Sequence, residues 1–181
     1  KAAQAEPGRI SYGSWGVGSP GHLGGEWLDY LTGSKMTHVP YSEVSQLFTS
    51  VANGDPAWSF ASIPSSQGIY RAGKLRYLAV ASPQRNPQMP DVPTVAESGG
   101  PAELDVNSFV SLLAPKGIAP ALRDRIHADV VAVLQDPEVK EKFATFAFQP
   151  ITWPLAQMDQ FAKGKATQYK LLIQKAHISL D

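Results

Sequence analysis

A glycine-rich segment between a predicted strand and a predicted helix is the part of the sequence best suited to hold a small anion. Gly16-Val17-Gly18-Ser19-Pro20-Gly21 fits the pattern G-x-G-x-x-G. Small residues let a ligand approach the backbone, and the N–H groups and positive dipole end of a helix start attract negative charge. The segment therefore predicts an anion site, although a turn that binds nothing would give the same pattern.

The same pattern occurs in dinucleotide-binding folds, which leaves an NAD-binding enzyme domain as an alternative function. Those folds carry an acidic residue about twenty positions further on, at the end of the second strand. Glu43 stands at about that distance but lies at the start of the next predicted helix. The strand before the glycines, residues 9–14, is also polar where that fold has buried aliphatic residues.

Histidine is the remaining residue type near the glycines that could do chemistry. His22 lies in the first turn of the predicted helix, where a ring N–H could reach a ligand or a loop carbonyl. His38 falls in a predicted strand and is expected to be half-buried, whereas His127 and His177 fall on helices and are expected at the surface. No triad, paired-carboxylate or metal-ligand spacing stands out, so catalysis has no positive indication and neither metal nor cofactor is expected.

Composition excludes several function classes. The chain has 181 residues, 16 basic and 16 acidic side chains, and no cysteine. A balanced charge without a basic stripe argues against nucleic acid as a partner, and the lack of thiols excludes a disulfide scaffold or a zinc-thiolate site. An apolar fraction of 43% is enough for a globular core. No apolar stretch reaches the roughly eighteen residues that a membrane span needs.

Strand and helix patterns alternate over the first eighty residues. Such alternation predicts parallel strands with crossover helices, hence an α/β doubly wound domain. Ser19 and Pro20 are expected to cap and open the first of these helices, and Gly33 to end it. The predicted strands are 9–14, 36–39, 57–61 and 75–80, and the predicted helices are 20–32, 43–52 and 64–72.

The pattern changes after residue 81, where prolines exclude regular structure up to residue 93. A long strand is predicted at 106–114 and a brief one at 148–152. Helices are predicted from Pro120, from Asp136-Pro137-Glu138 and over 154–176. The natural place to divide the chain is near residues 100–106.

Ligands of open α/β sheets lie at the carboxyl ends of the strands. Trp15 and Tyr41 fall at that predicted edge, and Phe60 falls one residue inside it. Phe60 is expected to pack within its loop. The edge should be formed by residues 14–18, 40–42, 61–64 and 80–82.

Several motifs, taken together and in order, resemble the tripartite tricarboxylate transporter solute-binding family, also called Bug receptors. They are YGSxGxGSxxHL at 12–23, HVPY at 38–41, RAGKLRYLAV at 71–80, PDVPTVAESG at 90–99 and LLAPKGIAP at 112–120. The resemblance implies a type II periplasmic-binding-protein-like fold and a non-enzymatic periplasmic receptor. Such a receptor captures a small carboxylate and delivers it to a membrane permease.

The resemblance also implies the ligand-binding residues. Ala61 stands where many members have an aspartate suited to a ligand amine, which argues against an α-amino acid ligand. Trp15 stands where smaller residues are common, so it should shrink the pocket or stack on an aromatic acid. Ser42-Glu43 replaces a frequent Lys-Gly. The implied site is Ser14, Trp15, Gly16, Val17, Gly18, Ser19, His22, Pro40, Tyr41, Ala61 and Ser62.

The family implies a longer chain than this one. Residues 1–103 would be the second α/β domain of the receptor, and 104–181 the hinge strand and C-terminal helices of an incomplete first domain. The absent N-terminal region should contain a strand of the second-domain sheet, so residues 108–113 or a partner chain are expected to fill its place. A second alternative function is therefore a non-binding fragment that associates as a homo-oligomer through its exposed hinge.

Overall fold

The structure is a computed structural model that describes residues 1–107 and 109–175. Its contacts divide the chain into one unit of residues 1–108 with 168–181 and a second unit of residues 109–167. His177 and Ser108 lie outside the described residues, so the predictions made for them stay predictions. None of the described helices is long and apolar enough to cross a membrane.

The first unit is built on a parallel sheet in the order β2-β1-β3, which confirms the α/β class. The central strand β1 pairs with β2 on one side and with β3 on the other. The strands are β1 (Ser11–Ser14), β2 (Thr37–Pro40) and β3 (Trp58–Ser59), and the helices that accompany them are α1 (Ala2–Ala5), α2 (Pro20–Thr32), α3 (Val44–Ala52) and α4 (Ile63–Arg71).

Helix α2 begins and ends at the residues that the sequence predicts. The Ser19 hydroxyl accepts a hydrogen bond from the His22 amide at 3.3 Å, and Pro20 occupies the first helical position. Gly33 ends the helix with φ of 63°, a left-handed conformation that favours glycine. These local signals fix the entry point of α2, and with it the end of the glycine-rich loop.

The inner face of α2 carries three glycines that receive aromatic rings. An added Cβ would lie 3.1 Å from the Trp15 ring at Gly21, 2.8 Å from the Phe60 ring at Gly24, and 2.1 Å from the Tyr12 ring at Gly25. Phe60 thus packs against protein, as predicted. The glycines let α2 approach the sheet closely, because an added Cβ would overlap the rings at Gly24 and Gly25 and press against the ring at Gly21.

Helix α3 supplies the apolar core on its own side of the sheet. Leu47 is fully buried and Phe48 is 3% exposed, as the helical spacing of the apolar residues predicts. A Cβ at Gly13 would lie only 2.3 Å from the Leu47 side chain. Gly13 therefore allows α3 to contact the middle of β1.

Three predicted strands are absent from the described residues, and those predictions are wrong. Of residues 75–80, only Val80 pairs, in an isolated bridge with Thr94. Residues 109–114 form no strand, and neither do 148–152. Among the described residues, the three-stranded sheet includes none of 109–113. A strand needs a neighbour for its backbone groups, and its own side-chain pattern cannot supply one.

The second unit contains α5 (Pro120–Gln135), α6 (Pro137–Thr145) and most of α7 (Leu155–Lys175). The Asp136 carboxylate accepts hydrogen bonds from the Glu138 and Val139 amides, which confirms the predicted cap of α6. His127 was predicted at the surface but is half-buried, with its Nε2 2.9 Å from the Trp153 carbonyl oxygen.

Candidate functional site

The three predicted binding segments leave the same edge of the sheet. In the parallel register Ser14 pairs with Pro40 and Gly13 pairs with Ser59, so the carboxyl ends of the three strands are adjacent. The glycine-rich loop follows the central strand and is flanked by the Pro40-Tyr41 turn and by residues 60–62. This is the edge at which α/β sheets bind ligands.

Two glycines give the loop its shape. Gly16 and Gly18 have φ of 115° and 75°, in the region that other residues rarely adopt. The Ser19 amide donates to the Gly16 carbonyl at 3.3 Å and closes the turn. The backbone between these glycines is therefore folded tightly against the start of α2.

The loop amides divide into two groups. The Gly18 amide donates to Nδ1 of His22 at 3.0 Å, and the Ser19 amide is used within the turn. The amides of Trp15, Gly16 and Val17 form no hydrogen bond with any other residue that the structure describes. A backbone-donor site at this loop would therefore be limited to these three consecutive N–H groups, a narrower set than the whole loop.

Ser14 lies beneath the loop. Its side chain is fully buried, and its hydroxyl lies 3.0 Å from the Gly16 carbonyl oxygen and 2.7 Å from Nε2 of His38. A hydroxyl has a single proton, so donation to Gly16 requires that His38 donates to Ser14. In this structure the Ser14 side chain fixes the loop from inside.

His22 and His38 form a stacked pair beside the loop. Their ring centroids are 3.8 Å apart and the planes differ by 8°. His22 was predicted to offer an N–H to a ligand or a carbonyl, but its Nδ1 accepts the Gly18 N–H, which places the ring proton on Nε2. His38 is half-buried, as predicted, yet its contacts with Ser14 and His22 were not foreseen.

Both imidazoles are neutral near pH 7. Burial lowers the pKa of His22, which Glu26 opposes from 3.7 Å. Burial and the neighbouring His22 lower the pKa of His38 to about 4. The Tyr12 hydroxyl donates to Glu26 at 2.7 Å, and burial together with that carboxylate raises the pKa of Tyr12. No positive side chain is therefore present in this cluster at neutral pH.

The aromatic residues of the edge pack inward. The half-buried Trp15 ring lies against Gly21 at the start of α2. The Tyr41 ring lies beside Gly13, and its hydroxyl donates to the Asp55 carbonyl at 3.4 Å. Both residues are half-buried.

The exposed surface of the edge is formed by small or apolar residues. Val17 is 49% exposed, and Pro40, Ala61 and Ser62 are also exposed. The Ser62 hydroxyl donates to the Ser65 hydroxyl at 2.7 Å in the first turn of α4. No group of three metal-ligating side chains occurs among the described residues.

Two cavities lie elsewhere. One is in the first unit between α2 and the end of α7, and Leu23, Trp27, Val106 and Leu172 are among its lining residues. The other lies between α5 and α6 and includes Val133 and Lys142. The first cavity touches the glycine-rich segment only at Pro20, and neither cavity is lined by Trp15, Gly16 or Val17.

Several ligand-binding folds share a parallel α/β sheet with a glycine-rich helix start at its carboxyl edge. The structure of the periplasmic binding protein BugD matches with a TM-score of 0.72 at 23% identity, covering 97% of this chain and 59% of that one, so the fold is of the periplasmic-binding-protein kind, in an incomplete form. The model of the family described as "Tripartite tricarboxylate transporter family receptor" matches residues 1–178. The chain belongs to this family.

Relatives and solved structures agree with this assignment. A Pseudomonas sp. (strain P51) protein named for the tcbD-tcbE intergenic region is 32% identical over 78% of this chain and 42% of its own length. BugT of Bordetella pertussis is 30% identical over 82% of this chain and 45% of its own. The structure of R. palustris Rpa4515 with adipate has a TM-score of 0.78 at 26% identity, covering 98% of this chain and 59% of that one. The chain thus spans about half the length of the curated relatives it matches.

Proposed function

We propose that this chain is part of a periplasmic solute-binding receptor that holds a small carboxylate at the glycine-rich loop and passes it to the permease of a tripartite transporter. Receptors of this kind carry out no chemistry on their ligand. The main support is the set of three consecutive N–H groups, from Trp15 to Val17, that lack a partner among the described residues. The family membership and the adipate named with Rpa4515 support the ligand class.

Backbone donors account for binding without a basic side chain. Residues 14–19, 40–43 and 60–62 contain no lysine or arginine, and the two nearby imidazoles are neutral. Hydrogen bonds from N–H groups to a carboxylate are charge-assisted, and the start of α2 adds about half a positive charge. These two terms together can hold an anion at this edge.

The site residues take three roles in this proposal. Trp15, Gly16 and Val17 donate their amides to the carboxylate. Pro40, Tyr41, Ala61 and Ser62 form the flanking walls. Ser14, Gly18, Ser19 and His22 hold the loop in shape. The half-exposed edge of Trp15 gives a surface for an aromatic acid, and Ala61 leaves no partner for a ligand amine.

The division into domains is also a proposal, and it follows from the family to which the chain belongs. Residues 1–103 would form the second α/β domain of a receptor, and residues 104–181 would belong to its first domain.

The two alternative functions, an NAD-binding enzyme domain and a non-binding oligomeric fragment, have less support. An NAD site lacks its acidic residue, because β2 ends at Pro40 and Glu43 is the exposed residue before α3. A purely oligomeric fragment would not need the unpartnered amides of the loop.

Calorimetric titration of the 181-residue chain tests the proposal. Adipate, malate, citrate and benzoate are titrated, with uncharged adipamide and NAD as controls. At least one carboxylate should bind, whereas adipamide and NAD should not. Absence of any carboxylate binding, or binding of adipamide as tight as adipate, would count against the proposal.

A pair of variants tests the backbone mechanism. Val17→Pro removes the central N–H, whereas Val17→Ala keeps it and shortens the same exposed side chain. One hydrogen bond to a charged group contributes about 1.5–3 kcal/mol, so Val17→Pro should bind at least about tenfold more weakly than Val17→Ala. Equal affinity of the two variants would refute donation by this amide.

A further inference from the structure

We propose that His22 and His38 are positioning residues for the binding loop: as a neutral stacked pair they hold residues 14–18 in the carboxylate-binding conformation, and protonation of the pair releases the ligand. This inference rests on the proposed function. It assigns to the two histidines a role through the loop backbone and no contact with the ligand.

The two rings fix opposite ends of the available amides. His38 donates to the Ser14 hydroxyl, which in turn donates to the Gly16 carbonyl. His22 accepts the Gly18 N–H at 3.0 Å. The three unpartnered amides lie between these two attachments, so their direction depends on both imidazoles.

The hydrogen bonds require a neutral His22. Protonation at Nδ1 would place two donors, the ring N–H and the Gly18 N–H, 3.0 Å apart and would abolish the bond. Protonation of His38 keeps its donation to Ser14, but a charged His38 lies 3.8 Å from the His22 ring. Two charged rings cannot remain stacked at this distance without strong repulsion.

The charged and titratable groups around the pair favour a transition in acid. Glu26, on α2, is the acidic group nearest to His22, at 3.7 Å from Nε2. Tyr12, on β1, stacks on His38 at 5.1 Å and donates to Glu26, so it stays neutral. Burial lowers the pKa of both histidines, which keeps the pair neutral at pH 7. Trp58, on β3, stacks on Tyr12 and adds no charge.

Two substitutions keep the hydrogen bonds and remove the titration. His22→Asn retains an acceptor near the position of Nδ1, and His38→Gln retains a donor near Nε2. His22→Ala removes the acceptor for Gly18 altogether. The double variant His22→Asn/His38→Gln is therefore the control for pH, and His22→Ala is the test of positioning.

Adipate affinity is measured by calorimetry at about pH 7.5 and at about pH 4, which is the pKa of His38. Protonation of adipate affects every variant equally, so the comparison uses the ratio of the two dissociation constants. The ratio of the dissociation constant in acid to that at about pH 7.5 should be at least about fivefold larger for wild type than for the double variant. At about pH 7.5, His22→Ala should bind adipate at least about fivefold more weakly than wild type. Equal ratios would overturn acid release, and wild-type affinity in His22→Ala would overturn positioning.

A second measurement separates this inference from the proposed function. Hydrogen exchange of the Gly18 amide, followed by NMR, needs no ligand. The amide should be protected in wild type and in His22→Asn, and it should exchange at least about tenfold faster in His22→Ala. Unchanged exchange of the Gly18 amide in His22→Ala would overturn the inference even if adipate binds. If the Gly18 amide loses protection in His22→Ala but adipate does not bind to wild type, the attachment of the loop by His22 stands and only the proposed function is contradicted.

Discussion

Replacing Gly25 with alanine tests the close packing of α2 on the sheet. The new methyl group would lie 2.1 Å from Cε2 and 2.3 Å from Cζ of Tyr12. Tyr12 is fully buried, its ring stacks on His38 and on Trp58, and its hydroxyl is bound to Glu26. The ring therefore has no space into which it can move, and α2 must shift away from β1.

The expected loss of stability follows from three terms. Overpacking of a core costs about 1–3 kcal/mol, and an overlap above one ångström places this site at the upper end. Weakening of the bond from Tyr12 to Glu26 adds about 1 kcal/mol, and the higher helix propensity of alanine returns about 0.5–1 kcal/mol. The free energy of unfolding should therefore fall by about 3 kcal/mol.

Urea unfolding followed by far-UV circular dichroism measures this change. Gly68→Ala is the matched control, because Gly68 lies inside α4 and an added Cβ meets no atom within 4 Å. That variant should gain about 0.5–1 kcal/mol from propensity alone. Equal stability of Gly25→Ala and Gly68→Ala would refute the packing argument.

Acidification and two substitutions give further predictions. His38 has a pKa of about 4 when folded and 6.5 when exposed, so the unfolded chain binds the proton first and stability falls as pH drops from about 6.5 to about 4. Solvent screening of the half-exposed ring limits the loss in free energy of unfolding to about 1–2 kcal/mol. Urea unfolding of wild type and of His38→Gln, repeated across this pH range, should show that the free energy of wild type falls by this amount more than that of the variant. An identical pH dependence of the two proteins would contradict the prediction. Asp136→Ala removes the cap of α6 and should cost about 1 kcal/mol in thermal unfolding, with Asp136→Asn close to wild type; a loss as large in Asp136→Asn would argue against capping. Leu47→Ala empties a fully buried position and should cost about 2–5 kcal/mol in urea unfolding, whereas a loss below about 1 kcal/mol would show that the α3 contact is not part of the core.

The helices were predictable because their signals are local. Ser19, Pro20 and Gly33 specify the two ends of α2 without reference to the rest of the chain. Asp136 does the same for α6. The alternation of such helices with short strands was enough to predict the parallel sheet.

The strands at 75–80 and 106–114 could not be predicted correctly, because a strand exists only with a partner. Their apolar alternation fits a sheet, but the described residues supply no continuous neighbour. The stacked pair of His22 and His38 could not be predicted for a similar reason, because it also depends on how strands pair. His38 lies beside Tyr12 only through the register of β1 and β2, and one sequence does not reveal that register.

The glycine face of α2 has a consequence for how such a receptor could change its ligand. Rings from Trp15, Phe60 and Tyr12 occupy the notches at Gly21, Gly24 and Gly25, so the framework beneath the loop tolerates little substitution. The exposed positions Val17, Pro40 and Ala61 carry no such constraint. Under the proposed function, backbone groups recognise the charge, so mutations at those rim positions would alter the preferred shape of the acid while the preference for an acid would be inherited unchanged.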